Sequence, residues 1–79
     1  MNSNELKAVM KRNGDTQERL AEALGLQTSG VSERINGNIE FRRKEINVIR
    51  KRYKLSDSDT IKIFFDDEVS TDDTEREVV

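Results

Sequence analysis

The chain contains no cysteine and no histidine. That absence removes thiol nucleophiles, imidazole bases, disulfides and the usual zinc ligands together. Catalysis would have to rest on carboxylates, lysines or hydroxyls, and there is no glycine-rich loop to cradle a phosphate. The paired acids Asp66-Asp67 and Asp72-Asp73 lack the spaced oxygen ligands and central glycine of a calcium loop. Neither an enzyme nor a bound metal or cofactor is expected. No run approaches the roughly 20 apolar residues of a membrane span, and no N-terminal apolar block suggests export. The expectation is therefore a cytoplasmic protein with no membrane partner.

Apolar residues are also scarce, at 33% against 38% charged in a chain of 79 residues. A chain of that size is one domain and buries a limited fraction of its surface, so association would help it. Its charge is unevenly distributed. Residues 1–55 carry twelve Lys or Arg against seven Asp or Glu, whereas residues 56–79 carry two against nine. The net charge of −2 thus conceals a basic N-terminal part, and a nucleic-acid partner is permitted where the average would argue against one.

The most informative stretch runs from Thr16 to Gly37, TQERLAEALGLQTSGVSERING. Thr16 suits an N-cap, and Leu20, Ala21 and Leu24 share the face of a short helix. Gly25 supplies the left-handed backbone angles that end it, and Leu26 can fold back onto the apolar face. A second helix over roughly Thr28 to Asn36 follows at once. Val31 and Ile35 lie inward at i and i+4, which turns Thr28, Ser29, Ser32 and Glu33 outward. Two short helices in this relation form the geometry that lays a reading helix in the DNA major groove.

These residues resemble the Cro and lambda-repressor-like helix-turn-helix proteins of phages and bacteria. Thr16-Gln17, Leu20-Ala21, Leu24-Gly25, Val31-Ser32 and Asn36-Gly37 sit where that family's pattern has them. Phe41, Glu45-Ile46 and the segment from Leu55-Ser56 to Ile63-Phe64-Phe65 look like the small Gram-positive phage regulators of the Cro or modulator-of-repression kind. The resemblance covers about residues 4 to 65. It implies an all-α, lambda-repressor-like domain of about five short helices over residues 1–65, acting in a bacterial host cell as a sequence-specific regulator of double-stranded operator DNA, and pairing as a homodimer. The alternative it implies is a modulator or antirepressor that captures a phage repressor protein with the same fold.

Candidate DNA-binding residues emerge from the local chemistry and from the resemblance together. Gln17 stands in a first helical turn, where unpaired N–H groups welcome an anion, and in the resembling family a Gln there holds a phosphate, as does the Asn matching Asn36. Thr28, Ser29, Ser32 and Glu33 are the candidate base readers. Thr and Ser hydroxyls donate or accept while their methyl or methylene groups touch thymine methyls, and a carboxylate accepts from a cytosine amino group. Gln27, at a position where the family often has a small capping residue, can reach backbone or a base edge, and Asn38 completes the polar set. Arg34 departs from the family pattern, which usually has an apolar residue there, and is read as structural, its stem packing on the core edge and its guanidinium reaching water, a helix-end carbonyl or an acid such as Glu22.

Around this pair, Asn2 to Asn13 predicts a first helix with a capping box at Asn2 and Glu5 and an apolar stripe of Leu6, Val9 and Met10. Phe41 leads into a fourth helix whose Ile46, Ile49 and Tyr53 face the core. Arg42, Arg43 and Lys44 crowd the start of that helix, where the dipole disfavours cations by roughly 0.3–1 kcal/mol each. A docked DNA phosphate would relieve that conflict, so Arg42 and Arg43 join the candidate DNA-binding set. Arg50, Lys51, Arg52 and Lys54 complement the other helix end and are read as a solvated face. Ser56 starts a last helix in which Ile61, Phe64 and Phe65 share a face and Ile63 points off it. Four large apolar groups exceed what one small core absorbs, so Ile61, Ile63, Phe64 and Phe65 are expected to form the dimer or partner interface. Residues 66–79 are strongly acidic and predict a disordered tail.

Overall fold

Each break in the apolar periodicity becomes a helix end. The computed structural model describes residues 1–65 as five helices, α1 Ser3–Arg12, α2 Gln17–Leu24, α3 Thr28–Ile35, α4 Arg43–Arg52 and α5 Asp57–Phe64, with no strand among the described residues. The acidic tail anticipated over 66–79 lies outside them. No helix among the described residues is long and apolar enough to cross a membrane.

Side-chain caps start three of the helices. Asn2, Thr16 and Ser56 accept the backbone N–H groups of Glu5, Arg19 and Asp59 at 3.0–3.1 Å. Each such cap stabilises its helix by about 1 kcal/mol. The reciprocal arm of a capping box at Asn2 is missing. The Asn2 N–H donates instead to the Ile63 carbonyl at 2.7 Å, which seats the start of α1 on α5. At α2 the ending is a Schellman motif. Gly25 takes φ +71° and donates to Glu22, while Leu26 donates to Ala21 and turns its side chain onto the core.

The core gathers one stripe from every helix. Leu6, Leu20, Val31, Ile35, Ile49 and Ile63 are fully buried, and Val9, Met10, Ala21, Tyr53 and Phe64 close around them. Each large side chain buried in this way contributes about 1.5–3 kcal/mol of transfer free energy. Phe41 packs edge-on against Phe64 with ring centroids 5.7 Å apart, joining the α3–α4 connection to α5.

In α5 the structure corrects the expected orientation. The inward stripe is Thr60, Ile63 and Phe64, whereas Ile61 and Phe65 stay 57% and 59% exposed. Ile63 and Phe64 are therefore core residues, and they are withdrawn from the expected interface. Both stripes have i, i+3, i+4 spacing. Thr60 tips the choice because its hydroxyl donates to the Ser56 carbonyl at 2.8 Å, which lets a polar residue be buried without losing a hydrogen bond.

A second correction concerns the basic run of α4. Arg52 is not merely solvated. Its guanidinium makes two bonds to Asp15, at 2.7 and 3.1 Å, and the Tyr53 hydroxyl donates to the same carboxylate at 2.6 Å. Arg50 pairs with Asp57 of α5. The α1–α2 turn is thereby fastened to the end of α4.

Candidate nucleic-acid interface

The outward face of α3 is set by what its inward face must bury. Val31, Arg34 and Ile35 turn into the molecule, leaving Thr28, Ser29 and Glu33 exposed and Ser32 half-buried. Asn36 ends the helix and is exposed, as is Asn38 beyond it. No lysine or arginine lies on this outward face, because Arg34, the sole cation of α3, points inward.

Arg34 is the residue whose partner sequence reasoning missed. Its side chain is 9% exposed and pairs with Glu45 of α4, itself 7% exposed, at 3.0 Å. Glu22 is not involved. One terminal nitrogen of the guanidinium donates back to the Gly30 carbonyl at 3.0 Å, and the same Glu45 oxygen accepts the Arg42 backbone N–H at 2.8 Å. Helix α3 and the start of α4 are thus joined through one carboxylate. A signal was present in the sequence, since an arginine three residues after Val31 falls on the buried stripe of α3 and needs an acid there, but the spacing of 11 residues did not say which.

The start of α4 leaves Arg42, Arg43 and Lys44 exposed, and among the described residues none of the three has an ion-pair partner. Glu45 supplies the only acid of that first turn and is already committed to Arg34. The conflict between cations and helix dipole therefore persists in the folded chain.

At the start of α3, Gln27 is the N-cap residue but forms no side-chain cap bond, so the first-turn N–H groups of Thr28 and Ser29 have no partner among the described residues. The Gln27 side chain is exposed and free to reach outward. Gln17 opens α2 in a half-buried position beside the Thr16 cap. Farther along, the Asn38 amide donates to the Glu33 carboxylate at 2.7 Å, so two candidates expected to act separately hold one another.

No protein-family model, curated protein or solved structure matches the chain. What the chain can do is therefore argued from its own surface. Among the described residues no three His, Cys, Asp or Glu side chains cluster as metal ligands. The Asp15 carboxyl is held at about 2, chiefly by the Arg52 guanidinium, with the Tyr53 hydroxyl and Thr16 N–H adding to it against the opposing effect of burial. Burial, and then the bond to Asp15, push the Tyr53 phenol above its ordinary range. This cluster sits next to the α2 N-cap and fixes where α2 begins.

Proposed function

We propose that the domain is a sequence-specific double-stranded DNA-binding transcriptional regulator, a Cro-like repressor that reads operator DNA with α3 and binds as a dimer. The observation that carries this reading is the union of two exposed surfaces through one buried bridge. The polar face of α3, with its uncapped first turn, and the unpartnered cations at the start of α4 are tied together by Arg34 and Glu45. Phosphate affinity would come from Arg42, Arg43, Gln17 and the free helix N–H groups, and selectivity from Thr28, Ser29, Ser32 and Glu33. Exposed Ile61 and Phe65 offer an apolar surface for pairing, and a pair of such domains would present two reading helices to successive turns of the duplex.

Titration of labelled duplexes at several salt concentrations tests the reading. Affinity should fall linearly on logarithmic axes as salt rises. Arg42→Ala or Arg43→Ala should weaken binding to every duplex alike and reduce the slope by about one for each phosphate no longer neutralised. A variant with unchanged affinity and slope would remove that residue from the site.

One observation favours a second reading, a modulator that captures another repressor protein. The exposed apolar groups Met1, Ile39 and Phe65 rim a groove of about 380 Å³ between the N-terminus, the α3–α4 connection and the end of α5, with Phe41 and Phe64 in its wall. Sedimentation of the protein with duplex and with the cognate repressor separates the two readings, because association with the repressor alone would select the modulator.

A further inference from the structure

Glu33 is an acid on the face of α3 that carries no cation. Against a polyanion it is unfavourable unless a donor meets it. The fold does not leave it loose. Gly37, at φ +86°, reverses the chain after α3, and the Asn38 N–H returns to the Glu33 carbonyl at 2.9 Å. The Asn38 side chain then donates to Glu33 Oε1 at 2.7 Å. Residues 33 and 38 are tied twice, once by backbone and once by side chain. Because an ionised carboxylate only accepts, the amide nitrogen must face it, which leaves Glu33 Oε2 and Asn38 Oδ1 as acceptors without a partner among the described residues.

We infer that Glu33 and Asn38 form one reading unit that selects a cytosine, with Asn38 as the positioning residue that holds the Glu33 carboxylate for the cytosine amino group. The inference rests on the DNA-binding reading above. In the major groove, cytosine offers an amino donor with no acceptor on its own edge, whereas adenine places N7 beside its amino group and guanine offers two acceptors. A fixed carboxylate repels both purine acceptors and the phosphates. The unit therefore selects by rejection as well as by attraction.

Selection from a random duplex pool, followed by titration of the selected duplex and of one with the preferred C·G pair reversed, provides the test. Wild-type protein should discriminate between the two by about tenfold or more. Glu33→Gln should bind unrelated duplexes more tightly and lose most of that discrimination. Asn38→Ala should lower discrimination by about fivefold and should add nothing in the Glu33→Gln background. An Asn38 that merely holds a phosphate would instead weaken every duplex alike and leave the ratio intact. Discrimination that survives Asn38→Ala overturns the inference and leaves the DNA-binding reading standing; failure of the wild type to bind any duplex at low salt overturns that reading and the inference with it. Both side chains are exposed, so unchanged helical circular dichroism will verify that the variants fold.

Discussion

Asp15 and Arg34 are the side chains through which single residues hold the candidate site in place. The Asp15 side chain is 6% exposed and its folded pKa lies below the ordinary 3.8, at about 2. A depressed carboxyl pKa gives stability that is complete above the unfolded value and is lost as pH falls through the folded one. Urea unfolding followed from pH 6 downward should therefore show a loss on the order of 2 kcal/mol between about pH 4 and pH 2 from this group. Asp15→Asn should abolish that part of the pH dependence. For Arg34 and Glu45 the expected cost is larger. Glu45→Ala strands a buried guanidinium and removes the acceptor of the Arg42 N–H, so equilibrium unfolding should reveal a loss of about 3–5 kcal/mol. Neither partnership could be read from the chain alone. Arg52 and Asp15 are 37 residues apart, and cations near a helix C-terminus already have a sufficient local reason to be there.

The helix ends were the most legible elements, because caps depend on neighbours in sequence. Asn2, Thr16 and Ser56 each cap as their residue types imply, and Gly25 takes the left-handed angles assigned to it. A departure occurs after α4. Lys54, at φ +54°, holds the position that glycine holds after α2, donating to Lys51 while Leu55 donates to Arg50. A side chain in that conformation costs about 1–2 kcal/mol, and glycine returns part of the gain as chain entropy. Lys54→Gly should accordingly stabilise the protein by about 0.5–1 kcal/mol, visible as a rise of a few degrees in melting temperature. The α5 helix shows the limit of such reasoning. The more apolar stripe of Ile61, Phe64 and Phe65 suggested the inward face, but the stripe of Thr60, Ile63 and Phe64 has the same spacing, and the Thr60 hydrogen bond lets it face the core instead.

Across the whole molecule, α5 divides into a buried stripe that supports stability and an exposed pair, Ile61 and Phe65. Ile63 is fully buried, so Ile63→Ala should cost about 2–5 kcal/mol in unfolding experiments. Ile61→Glu and Phe65→Glu alter exposed positions and should leave monomer stability within about 0.5 kcal/mol. Under the proposed dimer, analytical ultracentrifugation should find both variants shifted toward monomer, and an unshifted distribution would remove this face from self-association. By itself the sequence determined the helices, the side-chain caps at Asn2, Thr16 and Ser56, the turn between α2 and α3 and the exposed set Thr28, Ser29 and Glu33. All of these follow from interactions within about four residues. Only the tertiary structure decided that Arg34 meets Glu45, that Asp15 anchors Arg52 and Tyr53, and that Ile63 rather than Ile61 enters the core. Those outcomes depend on which elements come to lie side by side, and a burial decision of that kind is made by the assembled core rather than by any local stretch of chain.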